Sequence, residues 1–149
     1  MKNRGFEVVT QYLNQDIRLP LRKTAKSAGY DIEAAQDTFI LPGKVEFVPT
    51  GLKTYMNEFE VLQLYPRSSF VKNKNLSLIN SVGIIDSDYY NNPENEGHIL
   101  VMLYNFGETP QFVKKGERFC QAIFSVYLKV DSEASSSVKR LGGFGSTGL

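Results

Sequence analysis

The chain has 149 residues, a formal net charge of +1 and one cysteine, Cys120. This length suits one domain with its own hydrophobic core. The near-neutral charge gives no electrostatic basis for binding nucleic acid or an anionic membrane. A single cysteine excludes an intrachain disulfide and fits a reducing compartment. No stretch approaches the roughly 20 apolar residues that span a bilayer, so we expect a cytoplasmic protein.

Short strand-like runs separated by turn residues dominate the chain. Turn signals such as Pro42-Gly43 and Lys114-Lys115-Gly116 recur at a spacing of about 8–12 residues, which is typical of sandwiches, barrels and jelly rolls. The sequence therefore predicts an all-β fold. In chain order, the predicted strands cover residues 38–41, 45–48, 52–56, 59–65, 76–80, 98–104, 109–113 and 118–130.

Two segments depart from this pattern. Residues 68–75 predict one short helix, with Ser68 or Ser69 as its N-cap. Residues 131–149 are first polar and Ser-rich and then Gly-rich, a composition that cannot build a core of its own. We expect this segment to be a flexible C-terminal arm, either disordered or held by something it binds.

Two carboxylates, Asp86 and Asp88, follow an apolar run and precede Tyr89. Residues two apart in an extended segment share a face, so both carboxylates can reach one site. A general base needs a carboxylate held beside a water molecule and partly screened from bulk solvent. The alternative is a tight turn that uses Asp and Ser for its local hydrogen bonds.

Pro66-Arg67-Ser68-Ser69 is a second candidate, because a guanidinium and two hydroxyls suit phosphate oxygens. An N-capped helix with a solvated arginine explains it equally well. In the Gly-rich segment 142–148, backbone N–H groups can approach an anion and Phe144 can stack on a base; the alternative is a flexible tail. Gln121, in an otherwise apolar strand, needs a polar partner if it is buried, either a ligand or a loop carbonyl.

Together these segments resemble the five motifs of the trimeric dUTPase family, in family order and across nearly the whole chain. Each segment alone is ambiguous, but five ordered matches are specific. The first motif resembles Ala28-Gly29-Tyr30-Asp31, the second residues 66–69, the third residues 83–89, the fourth residues 116–123 and the fifth residues 140–148.

The resemblance implies one domain with a distorted jelly-roll fold that assembles as a homotrimer. Its active sites are expected at subunit interfaces, with the arm 131–149 closing a neighbouring subunit's site as a lid. The implied reaction is the Mg²⁺-assisted hydrolysis of dUTP to dUMP and pyrophosphate. This reaction keeps uracil out of DNA and supplies dUMP for thymidylate synthesis.

The resemblance also implies roles for single residues. Asp86 is expected to activate the attacking water, and Tyr89 to pack on the deoxyribose and exclude a 2′-hydroxyl. Backbone groups of a hairpin from Val82 to about Leu100 are expected to read the uracil, with Phe144 stacking on it and Asn80 beside it. The remaining expected contacts are Gly83, Ile84 and Ile85 at the uracil; Arg67, Ser68, Ser69 and Gln121 at the phosphates; Arg140, Gly145, Ser146 and Thr147 at the γ-phosphate end; and Asp31 at the magnesium ion through water.

The chain departs from the family pattern at two places. Asn91 stands where the family usually has glycine, and an insertion-like run, residues 91–97, follows it. In the fifth motif, Lys139 occupies the usual arginine position and Arg140 comes one residue later. Either cation can be the phosphate clamp, and we favour Arg140 because its planar fork suits phosphate.

Two alternatives remain. A dCTP deaminase shares the fold and the Arg-Ser-Ser element, but the position of its proton-transferring glutamate falls here on Met102, whose thioether is neither acid nor base. A regulatory role in binding a protein partner is compatible with catalysis, and the insertion 91–97 is a candidate surface for it. One cysteine and one histidine, His98, do not make a zinc site.

Overall fold

The computed structural model describes residues 1–134 and 136–145. Within them the chain forms twelve β-strands, one α-helix and two short 3-10 turns, at Thr10–Tyr12 and Ser87–Tyr89. The predicted all-β fold with one short helix is confirmed. The strands are β1 (Gly5–Val8), β2 (Leu21–Arg22), β3 (Tyr30–Glu33), β4 (Thr38–Ile40), β5 (Val45–Pro49), β6 (Leu52–Tyr55), β7 (Glu60–Pro66), β8 (Leu76–Leu78), β9 (Gly83–Asp86), β10 (Leu100–Asn105), β11 (Gln111–Val113) and β12 (Arg118–Val126), and the helix is α1 (Ser68–Lys74).

The strands pair antiparallel into four sheets. The largest has the order β2-β3-β12-β7-β9, and a three-stranded sheet has the order β5-β10-β8. Two strand pairs, β1 with β6 and β11 with β4, complete the fold. No helix in the described part of the chain is long and apolar enough to cross a membrane.

Alternating side chains from the sheets build the core. In β10, Val101 and Leu103 are buried, while Leu100 and Met102 on the opposite face are only partly covered. This period of two is the pattern expected of a strand with one face against the core. Cys120 is fully buried in the core, and its burial raises the pKa of the thiol above its ordinary value.

Three local predictions differ from the structure. The last strand ends at Val126 rather than at residue 130, and residues 127–130 are exposed. The helix has Arg67 at its N-cap position with no side-chain capping bond, so the prediction of a serine cap is wrong. The expected hairpin from Val82 to Leu100 is also absent as a strand pair, because β9 pairs with β7 while β10 pairs with β5 and β8.

His98 is a buried structural residue. Its Nε2 accepts a hydrogen bond from the backbone N–H of Gly51 at 2.9 Å, and its ring packs against Tyr12 with centroids 5.1 Å apart. An accepting nitrogen carries no proton. Burial lowers the pKa of His98, with a smaller opposing effect from Glu96. The fold therefore holds this imidazole neutral.

Two buried threonines predict opposite effects of the same substitution. Among the described residues, the hydroxyl of Thr38 has no hydrogen-bond partner, whereas that of Thr50 donates to Ile99 O at 2.8 Å and accepts from Leu52 N at 3.1 Å. Thr38→Val should raise the free energy of unfolding by about 1 kcal/mol, because an unsatisfied buried hydroxyl costs about 1–3 kcal/mol. Thr50→Val, the matched control, should lower it by a similar amount. Urea unfolding measures both, and shifts of the same sign would mean that hydrogen bonding of the hydroxyl does not decide the effect.

The buried His98 predicts a loss of stability in mild acid. Its folded pKa lies below the ordinary value of 6.5, so the unfolded state binds the proton more readily. The stability from this group is therefore complete above about pH 6.5 and decreases as the pH falls toward the folded pKa, by at most about 1.4 kcal/mol per pH unit. Denaturant titrations from pH 8 to pH 5 check this. The variant His98→Gln should lose this part of the pH dependence, and an unchanged slope would rule out His98 as its source.

Candidate active site

β9 and β10 wall a pocket of about 260 Å³ that the C-terminal arm covers. β9 is an edge strand of the five-stranded sheet, so within the described residues its outer backbone edge has no strand partner. The volume lies near the lower limit of ligand pockets, which measure about 300–1,000 Å³. The lining residues are Leu64, Asn80, Val82, Gly83, Ile84, Ile85, Asp86, Tyr89, Leu100, Met102, Arg140, Gly143 and Phe144.

Tyr89 forms a fixed aromatic wall of this pocket. Its side chain is 5% exposed, and its hydroxyl donates to His98 O at 2.8 Å and accepts from Asn95 Nδ2 at 2.8 Å. Burial is the main cause that raises the pKa of Tyr89, so the phenol stays protonated. Two hydrogen bonds on one hydroxyl hold the ring in a single orientation.

Asp86 stands at the end of β9, where the strand meets the 3-10 turn. Its carboxylate is half exposed and accepts from Arg140 Nη2 at 2.6 Å, while Asp88 accepts from Arg140 Nε at 2.6 Å. The two carboxylates therefore flank one guanidinium, which is the shared site that their spacing predicts. Only Asp86 also lines the pocket.

The arm crosses the mouth of the pocket. Phe144 lines the pocket and meets the ring of Phe47 edge-on, with centroids 5.1 Å apart. A Cβ built on Gly143 would lie 2.9 Å from the Tyr89 ring, so the arm backbone approaches this wall as closely as glycine permits. Arg140 lines the pocket, whereas Lys139 is exposed, which favours Arg140 as the cation of the fifth motif.

A second cavity, of about 440 Å³, forms a groove between β3, β12 and the start of α1. Arg67 donates to Arg118 O at 2.9 Å and lies 3.6 Å from Asp31 Oδ1. Gln121 lies so close to Gly29 that a Cβ there would stand 2.5 Å from its amide oxygen. The groove is lined by Lys23, Ser27, Ala28, Gly29, Asp31, Arg67, Ser68, Ser69, Gln121 and Ile123.

Most of the predicted site residues lie in these two separate cavities, which share no lining residue. Strand β7 sets the separation, because Asp86 pairs with Val61 near one end of β7 and Arg67 follows its other end. Six residues of strand at about 3.3 Å each place the two backbones roughly 20 Å apart.

Asp31 is held by two arginines. Arg67 Nε lies 3.6 Å from Oδ1, and Arg118 Nη1 donates to Oδ2 at 3.3 Å. Both oxygens of the predicted magnesium contact therefore face guanidiniums, so the residue does not fit a direct metal ligand in this geometry. Across residues 1–134 and 136–145, no group of three or more His, Cys, Asp or Glu side chains could hold a metal ion.

The structure places most of the predicted site residues in one of the two cavities. Asn80 is exposed on the pocket wall, and Gly145 follows Phe144 at a φ of +96°. Ser146 and Thr147 lie outside the described residues. Met102 lines the pocket, so the position that the deaminase alternative requires to be acidic is a thioether in the structure.

Several contributors to the site were not predicted from the sequence. Phe47 and Leu64 are core-type residues that only the fold brings to the arm and the pocket. Arg118, the second partner of Asp31, looked like the start of a strand. Glu94, in the insertion, accepts a hydrogen bond from Gly143 N at 3.1 Å. No local pattern signals this contact between residues 49 positions apart.

Comparison with known proteins agrees with the motif order. The family model for dUTPase matches residues 15–148. The deoxyuridine 5'-triphosphate nucleotidohydrolase of Lactococcus lactis subsp. lactis is 53% identical over 149 residues, which cover 99% of this chain and 99% of the relative. The protein of the same name from Nautilia profundicola is 33% identical over 140 residues, covering 91% of this chain and 94% of the relative.

Solved structures agree with the fold. The dUTPase from Streptococcus mutans matches with a TM-score of 0.82 and 48% identity, covering 86% of this chain and 99% of its own. A mutant dUTPase from phage phi11 of S. aureus, whose structure reveals the coordination of a structural Mg(II) ion, matches with a TM-score of 0.73 and 15% identity, covering 91% and 98%. At that identity the second likeness shows the fold alone. The predicted jelly-roll-like fold is confirmed, and the chain belongs to the dUTPase family.

Proposed function

We propose that this chain hydrolyses dUTP to dUMP and pyrophosphate in the cytoplasm, with Asp86 as the general base. One observation carries the proposal: in a chain of this family, the Asp86 carboxylate lines a pocket that the C-terminal arm covers, beside a fixed tyrosine. A half-exposed carboxylate in this position can take a proton from water next to a bound phosphate.

The pocket is proposed to hold uracil and deoxyribose. The outer edge of β9, from Gly83 to Asp86, offers backbone donors and acceptors to the base, as sheet edges do to extended ligands. The Tyr89 ring packs against the sugar, and its two hydrogen bonds prevent it from moving aside for a 2′-hydroxyl. Discrimination against UTP then comes from steric repulsion. Phe144 stacks on the base from the arm.

The reaction is an in-line displacement. Water attacks the α-phosphorus as Asp86 takes its proton, and the bond from the α-phosphorus to the bridging oxygen of the β-phosphate breaks. Pyrophosphate leaves with that oxygen. Holding water and phosphorus in line accounts for much of the rate of such reactions.

The phosphate contacts are proposed to come from a second copy of the chain, within a homotrimer. Arg67, Ser68, Ser69 and Gln121 line a groove whose backbone lies roughly 20 Å along β7 from Asp86, too far to reach the same phosphates. Exposed aromatic side chains on β4, β5 and β11 supply an apolar surface of the kind that assembly buries; they are Phe39, Phe47 and Phe112.

The arm is proposed to close the pocket of a neighbouring copy. Residues 127–134 and 136–139 are exposed, and the 14 residues from Tyr127 to Arg140 reach at most about 50 Å when extended. In the single chain the arm lies on its own pocket, and exchange between copies would preserve the same contacts. Ligand entry then transfers Arg140 from Asp86 to the γ-phosphate, joined by Gly145, Ser146 and Thr147.

Magnesium is proposed to accompany the substrate. Both oxygens of Asp31 face arginines, so contact through water is the role left to this residue. Mg²⁺ keeps several waters and commonly binds through substrate phosphates. When bound, it would neutralise phosphate charge and favour a reactive shape of the triphosphate.

Asp86→Asn should abolish most turnover while keeping the shape of the site. Pyrophosphate release from dUTP should fall by about 10²–10⁴-fold in kcat, the usual contribution of general-base catalysis, with little change in KM. Asp88→Asn is the matched control, because Asp88 pairs with the same arginine but does not line the pocket. Loss of the ion pair between Asp88 and Arg140 should change the activation free energy of dUTP hydrolysis by no more than about 1 kcal/mol, the usual contribution of an exposed ion pair. Equal losses in both variants would contradict the assignment, as would wild-type turnover of dCTP, UTP or dTTP.

Mixing two inactive chains tests where the arm closes. One chain ends after residue 130 and keeps Asp86, and the other carries Asp86→Asn and keeps its arm. If the arm covers a neighbour's pocket, assemblies formed by refolding the two chains together should regain dUTP hydrolysis that neither chain has alone.

Sedimentation provides the control for this mixing experiment. The assembly should have the mass of three chains of 16.8 kDa each. Mixed trimers without recovered activity would mean that each arm closes its own chain's pocket. The absence of trimers would overturn the proposed assembly itself.

A further inference from the structure

The insertion 91–97 is a compact, internally bonded loop. The Asn92 side chain donates to Tyr89 O at 2.8 Å and accepts from the backbone N–H groups of Glu94 and Asn95 at 3.0 and 3.1 Å. Glu96 anchors the loop, since its carboxylate accepts from Lys53 Nζ at 2.6 Å and from Thr10 N at 3.0 Å. The loop is therefore a firm base for the side chains it presents.

Glu94 on this loop forms two hydrogen bonds with the arm, one as donor and one as acceptor. Its backbone N–H donates to Leu141 O at 3.0 Å, and its carboxylate accepts from Gly143 N at 3.1 Å. A Cβ built on Gly142 would lie 2.5 Å from the carboxylate carbon of Glu94 and 2.9 Å from its Cβ. The arm backbone thus passes between Glu94 and the Tyr89 ring at a separation that only glycine allows.

The same contact orients the two arm side chains at the pocket. Arg140 Nη1 lies 3.4 Å from Gly142 O, and Phe144 directly follows Gly143. A Gly-rich segment has more conformational freedom to lose on ordering than other sequences, so it needs fixed partners to adopt one path. Glu94 provides an acceptor and a donor three residues after the start of the insertion.

We infer that the insertion 91–97 is a seat for the C-terminal arm, and that Glu94 is a positioning residue that places Arg140 and Phe144 over the pocket. The seat serves the arm of its own or of a neighbouring copy, because the contacts are the same. Its kinetic consequence rests on the proposed function, whereas the seating itself does not. Charge is secondary to the hydrogen bond, so an uncharged acceptor at residue 94 should preserve the seat.

The chain contains eight tyrosines but no tryptophan, so Phe144→Trp introduces a single indole on the arm that can be excited at a wavelength where tyrosine does not absorb. In this background and without nucleotide, Glu94→Ala should increase acrylamide quenching of the reporter by a factor below about two, because the side chain at residue 144 is already 58% exposed when the arm is seated and release uncovers only the remainder. Glu94→Gln should stay near the parent, since its amide oxygen accepts from Gly143 N. Glu108→Ala, which removes an exposed carboxylate in the turn after β10, is the control for charge and should also match the parent.

Kinetics in the chain with native Phe144 give a second readout. Glu94→Ala should raise the KM for dUTP by about two- to tenfold, the factor expected from one hydrogen bond, with a smaller change in kcat and an unchanged thermal midpoint. Glu94→Gln should restore KM. Gly142→Ala should reproduce the Glu94→Ala phenotype, because the added methyl group displaces the carboxylate.

The outcomes separate the two proposals. If Glu94→Ala changes neither the quenching in the Phe144→Trp background nor the KM in the native chain, the seat is overturned. The proposed reaction stays intact in that case. If the chain with native Phe144 is inert on dUTP but Glu94→Ala still increases quenching in the Phe144→Trp background, the proposed reaction is overturned and the seat is supported. Failure of Glu94→Gln to rescue either readout would overturn the hydrogen-bonding role given to Glu94.

Discussion

The antiparallel pairing of β7 with β12 on one side and β9 on the other is the constraint on which the rest of the site depends. Through this pairing, Asp86 lies opposite Val61 near the start of β7, and Arg67 follows its last residue. Because a strand is nearly inextensible at about 3.3 Å per residue, β7 acts as a rigid spacer that holds the backbones of Asp86 and Arg67 apart. No side-chain rearrangement within one chain brings the Asp86 carboxylate and the Arg67 guanidinium together.

This spacer is the physical basis of the proposal that a complete site needs more than one copy. Each chain carries a pocket lined by the Asp86 carboxylate and, elsewhere, a groove with Arg67, two serines and Gln121. An assembly that sets the groove of one copy against the pocket of another joins the two halves. In the proposed assembly catalysis depends on association, because the pocket that Asp86 lines in one chain lacks Arg67 and the other residues of the groove.

The sequence predicts the identity of the site better than its geometry. Motif order identified Asp86, Tyr89, Arg140 and Phe144, and the structure brings all four to one pocket. Alternation of apolar residues located most strands, because burial of one face leaves a period of two. Alternation does not specify strand partners, however, and the expected hairpin was wrong because β9 pairs with β7 rather than with β10.

Other failures have equally physical causes. Serine was expected to cap α1, but the serines are exposed and Arg67 holds the N-cap position while its guanidinium bonds Arg118 O. The contact between Glu94 and the arm could not be predicted from the sequence, because its two residues lie 49 positions apart and meet only when the arm folds back. Local sequence patterns predict which residues are buried. They do not predict contacts between a loop and a segment distant in sequence, because those contacts depend on the tertiary structure.

The contacts that hold the arm over the pocket are weak, as an arm that opens and closes requires. Its hydrogen bonds to Glu94 and its ion pairs with Asp86 and Asp88 lie at the surface, where each contributes on the order of 1 kcal/mol. Ordering each backbone residue of the arm costs about 1–2 kcal/mol. Such contacts define one path for the arm without fixing it there permanently, because a Gly-rich segment retains a strong entropic tendency to leave. In its proposed role as a lid, the arm must open after every turnover to release products, and stronger contacts with residues 91–97 would slow that step.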